Sequence, residues 1–251
     1  MEAVFKSDRG KIRKLNEDSG GIFKNNHGVL AVVADGMGGH RAGDVASRMT
    51  VELIEEKWKN VTNVLRAGAA EEWLYEAIEE VNKTIYHYAN QNPDCAGMGT
   101  TLVAAICTED FISIANIGDS RGYVIDESRV LQMTEDDSFV NALVQSGEIS
   151  REDAEHHPKK NLLLKALGTK GKADPAIKTI VPENDTVVLL CSDGLSNKVS
   201  EEEIKEILLQ SVTLDEMAED LIQLANEHGG EDNITLAAVK VSFDDEAGEP
   251  S

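Results

Sequence analysis

Apolar and polar positions change rhythm repeatedly along the chain. EAVFKSD, GGIFK and VLAVVAD read as strands, the last two flanking the turn-like NNHG at Asn25 to Gly28. From Asp44 to Lys57 the apolar positions Val45, Met49 and Leu53 step by four, which predicts a helix. A clearer stripe of Leu74, Ala77, Ile78, Val81, Ile85 and Tyr88 predicts a second one between Trp73 and Tyr88. Strands return at TTLVAAIC (Thr100 to Cys107) and FISIANIGD (Phe111 to Asp119), joined by TED, and RGYVID continues the meander. Thr134 to Gly168 is polar and irregular, with one short helix opened by Ser150 and Asp153 in capping-box spacing. AIKTIV and TVVLLC are strands. Ser200 with Glu203, and Thr213 with Glu216, then start two helices, the second ending at Gly229 before the last strand, ITLAAVKV. Short turns between strands and two consecutive helix pairs predict an α+β fold of antiparallel sheets covered by helices.

Composition narrows the setting. No Pro/Ser-rich linker or repeat interrupts the 251 residues, and 41% hydrophobic content fills a large core, so one domain is expected over 1–243. The acidic tail from 244 to 251 is expected to be disordered. A formal charge of −22 argues against a sequence-independent hold on nucleic acid or on an anionic membrane. It also predicts a mild preference for substrates with basic flanks. MEAVFKSDRGK carries no charged-then-apolar leader, and no run approaches the roughly 20 apolar residues of a membrane span. Cys95, Cys107 and Cys191 are odd in number and scattered, as expected of reduced thiols in a cytoplasmic protein.

Candidate chemistry sits where strands end. VVADGMGGH delivers Asp35 to a strand tip, IANIGDSRG delivers Asp119, and VVLLCSDG delivers Asp193; Asp232 in GGEDNIT and Asp18 in NEDSGGIF precede strands. Each Asp beside Gly is ordinary turn chemistry when taken alone. Five acids at the rim of one core would repel one another unless cations neutralised them, and oxygen ligands select a hard ion such as Mg²⁺ or Mn²⁺. Gly36 would leave its carbonyl free to approach such an ion. A dinucleotide loop fails because Arg41 breaks the GxGxxG spacing, and no P-loop motif occurs.

SDRGKIRKLNED, VVADGMGGHRAGDVAS, GMGTT, IGDSRGY, LLCSDGLSNKV and GGEDNIT occur in the order seen in bacterial type 2C protein serine/threonine phosphatases, which the chain resembles from about Ser7 to its last strand. The resemblance is to the stand-alone cytoplasmic kind that accompanies Hanks-type kinases in Gram-positive bacteria. It implies an αββα sandwich with a dinuclear metal centre at one edge, a hydroxide bridging the ions as nucleophile, and phosphoproteins as substrates, the cognate kinase among them. It further implies a monomer. By motif, Asp35 bridges the ions, the Gly36 carbonyl, Asp193 and Asp232 complete one shell, Asp18 serves the other ion, and Asp119 meets a third, weaker ion. Arg13 matches the phosphate-binding arginine. Met37 stands where many eukaryotic members carry His; His40 either protonates the leaving group or fixes its loop, and a metal-bound water is an alternative. Glu17 is a turn or hydrogen-bonding residue, and His156 and His157 are surface residues. The insert from Asp137 to Gly168 matches a flap, and TEDDS places Asp137 where the family usually has His, a departure that bears on flap anchoring and the third ion. The same acids would also suit a phosphatase of small esters or a metal-binding regulatory module without turnover, although such a module has no need of Arg13.

Overall fold

Strands with apolar residues on both sides need cover on both sides, and the architecture supplies it. The computed structural model describes residues 1–39, 42–62, 66–126 and 128–243. One antiparallel sheet has the order β1 (Glu2–Asp8), β11 (Ile234–Val241), β10 (Thr186–Cys191), β7 (Arg121–Ile125), β8 (Val130–Gln132). The other runs β2 (Asp18–Asn25), β3 (Gly28–Met37), β5 (Leu102–Cys107), β6 (Ile112–Ile117), β9 (Ala176–Ile180), with the two-residue β4 (Gly99–Thr100) on the end of β3. Helices α1 (Ala42–Lys59) and α2 (Ala67–Gln91) cover the second sheet, and α6 (Glu201–Gln210) and α7 (Leu214–Glu227) cover the first.

The two-residue period of β3 shows how the layers form. Leu30, Val32 and Ala34 pack with Ile54, Leu74 and Ile78 beneath the first helix pair. Val29, Ala31 and Val33 point the other way and meet Val188, Leu190 and Val239 between the sheets. On β10, Leu189 and Cys191 pack with Met217 and Leu221 beneath the second pair. Three apolar layers between four structural ones make an αββα sandwich. Burial on both faces is also why VLAVVAD and TVVLLC read as unbroken apolar runs rather than alternating ones.

Ser150, Ser200 and Thr213 each form a reciprocal capping box with the acid three residues later. These open α4 (Arg151–Glu155), α6 and α7. The polar insert contains a helix that periodicity does not predict, α3 (Phe139–Gln145), capped by Ser138. At seven residues it spans only about two turns, too few for Phe139, Val140, Leu143 and Val144 to establish a period, and none of its residues is buried. β8 and the four-residue turn α5 (Asp193–Ser196) were likewise not predicted, both being too short to show a period. No helix among the described residues is long and apolar enough to cross a membrane. The expected acidic tail at 244–251 lies outside the described residues.

Candidate active site

The strand ends that carry the five acids all lie at one end of the sandwich. Asp18, at the start of β2, faces Asp35 directly across the β2–β3 ladder. Cross-strand partners stand about 5 Å apart at Cβ, so the register alone pairs two carboxylates. Asp35 is held at both ends of its backbone: its amide donates to Thr101 Oγ1 at 2.9 Å, and its carbonyl accepts from the Thr101 amide at 2.9 Å and the Thr100 hydroxyl at 2.8 Å. Thr101 Oγ1 also meets Ser120 Oγ at 2.7 Å, tying Asp35 to the turn that presents Asp119. Gly36 is required by close approach. A Cβ there would fall 2.2 Å from the Gly43 carbonyl oxygen and 2.5 Å from that of Glu17.

The other sheet contributes Asp193 after β10 and Asp232 before β11. Ser192 donates its hydroxyl to Asp18 Oδ2 at 2.7 Å and its amide to the Thr235 carbonyl at 3.0 Å, joining the sheets beneath the acids. A Cβ on Gly194 would fall 1.9 Å from the Asn233 carbonyl oxygen, so only glycine lets these two loops touch. Asn233 fastens the loop before β2: its side-chain amide donates to the carbonyls of Arg9 and Leu15, and its Oδ1 accepts from the Glu17 amide. That loop carries Arg13, whose guanidinium pairs with Asp232 at 2.7 Å while its side chain remains 48% exposed. Burial works against the charge on Arg13, and Asp232 outweighs it, so its pKa is raised.

Asp119 belongs to the turn between β6 and β7, and the insert grips this turn. The Asp137 amide donates to the Gly118 carbonyl at 2.9 Å, and the Gly118 amide donates back to Asp137 Oδ2 at 3.2 Å. The Asp137 carbonyl accepts from the Leu164 amide at 2.8 Å, so entry and exit of the insert close on the same residue. The Asp137 carboxylate thus accepts from the turn that presents Asp119, while the backbone of Asp137 closes the insert.

Charge is concentrated and poorly neutralised. Burial pushes the Asp18 carboxyl up to about 7, against hydrogen bonds from Ser192 and Thr235, with Asp193 and Asp232 adding repulsion. Burial raises Asp35 well above its ordinary range, reinforced by Asp18, Asp193, Asp119 and Asp232. Asp119 is pushed to about 7 by burial, then by Asp193 and Asp136, and Asp193 is raised by burial and Asp232. Asp18 Oδ1 and Glu17 Oε1 are buried without a hydrogen-bond partner. An all-oxygen donor set with orphaned buried oxygens fits hard divalent cations. The side chains are not set as a finished shell, since no three described His, Cys, Asp or Glu converge in a metal-holding group. Two acids are engaged otherwise, Asp232 with Arg13 and Asp18 with Ser192.

Thr100, Thr101, Ser192 and Asn233 position the acids and were not singled out by sequence reasoning, although each lies inside a quoted motif. Polar residues flanking the acids at strand ends were the signal. Glu17 is a hydrogen-bonding residue through its backbone, its carbonyl accepting from Gly36 and from Ser47. His40 lies outside the described residues. His156 is exposed, whereas His157 is partly buried against Phe139. All three cysteines are buried free thiols, and burial pushes Cys107 and Cys191 up to about 12. Neither would be an effective nucleophile.

Comparison with known proteins identifies the family and the fold. A family model described as protein phosphatase 2C matches residues 11–235. The chain is 51% identical over 241 residues to the serine/threonine phosphatase stp of Listeria monocytogenes, covering 96% of each. Serine/threonine phosphatase Stp1 of Staphylococcus aureus superimposes with a TM-score of 0.91 at 40% identity, over 96% of this chain and 95% of that one. The catalytic domain of the phosphatase PstP, solved with two manganese ions, gives a TM-score of 0.83 at 35% identity over 96% of this chain and 98% of that one. With its sandwich, its acid-rimmed edge and these relatives, the chain belongs to the protein phosphatase 2C family.

Proposed function

We propose that the protein hydrolyses phosphoserine and phosphothreonine in phosphoproteins at a dinuclear centre on the acid-rimmed edge, reversing a Hanks-type serine/threonine kinase. The observation that carries this reading is the convergence of Asp35, half-buried at the strand tip, with Asp18, Asp119, Asp193 and Asp232: withdrawal from water, reinforced by the repulsion of these four carboxylates, raises its pKa. Asp35, the Gly36 carbonyl, Asp193 and Asp232 would hold one ion, Asp35 with Asp18 the second, and Asp119 a third, weaker one. When bound, Mn²⁺ or Mg²⁺ supplies Lewis acidity and a water acidified towards neutrality.

The remaining work falls to the chain. Arg13 projects beside Asp232 with donors to spare; a planar guanidinium holds two phosphoryl oxygens and offsets charge as the ester bond breaks. Ser192, Thr101 and Asn233 keep the acids and the Arg13 loop in register, so orientation is set before substrate arrives. No covalent phosphoenzyme is required, in keeping with the inert buried thiols. His40 would protonate the leaving serine or threonine oxygen or fix its loop, in which case a metal-bound water would supply the proton. The catalytic domain is assigned to residues 1–243, with the flap at 137–168 and a tail at 244–251. We place the enzyme in the cytoplasm, as a monomer without membrane or nucleic-acid partners.

Hydrolysis of a phosphothreonine peptide, with and without Mn²⁺, tests the proposal in the natural chain and in Asp35→Asn and Asp193→Asn. Turnover should require the ion and fall by at least about 100-fold in both variants. Manganese uptake without turnover would overturn it. So would a preference for small esters over phosphopeptide by orders of magnitude.

A further inference from the structure

Beside Asp119 and Asp193 lies a cleft of about 900 Å³ between the flap and the turn that follows β10. Its charges are sorted. Among the described side chains of the flap, those lining the cleft and carrying or able to carry charge are Arg151, His156 and Lys160. Among the flap acids whose side chains are described, Asp137, Glu148, Glu152 and Asp153 do not line it, and Asp153 is committed to the capping box with Ser150. Lys178 of β9 adds a cation to the same cleft. Arg121 is taken up by a two-pronged pair with Asp136, and Lys198 by Glu231. Three further acids, outside both the catalytic edge and the flap, line the cleft: Glu203, which caps α6 through Ser200, and Glu135 and Glu201, which have no described salt bridge.

Helical spacing explains the sorting. Arg151 and Ala154 are three residues apart and share the face of α4 that meets the cleft, while the residues between them face away. The backbone around Lys160 is braced, while its exposed side chain lines the cleft. Phe139 meets His157 in a tilted contact with ring centres 5.9 Å apart and carries Lys159 over its ring, and the His157 carbonyl accepts from the Lys160 amide at 3.1 Å. Phe139 in turn donates its amide to the Leu162 carbonyl at 2.8 Å. In a chain of charge −22, a wall of cations this close to the catalytic edge is a local exception. Screening confines each charge to about 8–10 Å, so a peptide lying in the cleft senses that wall more than the net charge.

We infer that the cations of this cleft, Arg151 and Lys160 on the flap and Lys178 on β9, dock the acidic flank of a phosphopeptide whose phosphate sits at the acid-rimmed edge. This rests on the phosphatase reading and refines its substrate class, because net charge alone predicts the opposite preference. The occupant is an extended segment bearing Asp or Glu on one side of the phosphorylated residue.

The test is binding by fluorescence anisotropy to the full chain with manganese. The probes are labelled peptides carrying a non-hydrolysable phosphonate, flanked by glutamates, by neutral residues or by lysines. At about 50 mM salt the acidic peptide should bind about 3–10-fold tighter than the neutral one, and the preference should fade by about 500 mM. Arg151→Glu with Lys160→Glu should abolish or invert the preference, and Arg151→Gln with Lys160→Gln should reduce it. Glu152→Gln, on the outer side of the flap, should leave it in place. Equal binding, tighter binding of the basic peptide, or a preference untouched by the charge reversal would each overturn the inference. Manganese-dependent hydrolysis of a neutral-flanked phosphothreonine peptide, run in parallel, judges the phosphatase reading separately, since the binding measurement needs no turnover.

Discussion

At the scale of single residues, the site is governed by neighbours that perform no chemistry. Asn233 is the clearest case. It is 5% exposed and satisfies two carbonyls and one amide on the loop that carries Arg13. Asn233→Ala would leave these groups without partners, each costing about 1–3 kcal/mol when buried. We expect a loss of about 2–4 kcal/mol in urea unfolding, together with weaker phosphate binding because Arg13 is no longer held. An unchanged unfolding midpoint would show that water replaces the amide. Gly36 and Gly194 belong to the same class. The sequence suggested that glycine beside an acid frees a carbonyl for an ion, whereas the geometry adds a stricter demand, close approach of two backbones.

At the scale of elements, strands and helices divide the labour. Strand ends deliver the acids, and the helices cover the sheets that aim them. The flap is different, because α3 and α4 bury little and are attached to the sandwich through a few polar contacts. Asp137 is central among these. Asp137→Ala removes the acceptor for the Gly118 amide but leaves the backbone bonds. Hydrogen exchange at Gly118 should quicken by about ten-fold, in line with losing one charge-assisted bond, and the flap amide of Leu164 should follow. Asp137→Asn, which keeps an acceptor oxygen, should restore most of the protection. If neither amide changed, the backbone bonds alone would be sufficient anchors.

At the scale of the whole molecule, the acid-rimmed edge makes stability depend on pH. Asp18 and Asp119 titrate at about 7 in the folded chain against an ordinary value of 3.8. Between these values the folded state binds more protons than the unfolded one. Their contribution is therefore fully present below about pH 4 and is lost as pH rises through about 7. With divalent ions chelated, the unfolding temperature should fall between about pH 5 and pH 8. Saturating manganese should oppose this, with a larger gain at pH 8 than at pH 5.5, because ions compete with those protons for the same oxygens. Differential scanning calorimetry at constant ionic strength would check both; a metal-induced gain independent of pH would contradict the assignment of these acids as ligands.

Much of this protein was already determined by local sequence. The three capping boxes lie at the residues whose spacing announces them, because a cap is completed within four residues. Two-sided burial and helical stripes likewise leave their mark on neighbouring positions, and the acids stand at strand ends where the apolar runs stop. What only the tertiary structure decided depends on contacts between distant segments. Asp18 opposite Asp35, Ser192 beneath Asp18, Arg13 on Asp232 and the Asp137 clasp are such contacts, and no periodicity encodes them. The same holds for charge: composition supplies a net value, but folding chooses which side chains face a cleft, and at screened distances that choice sets the local field.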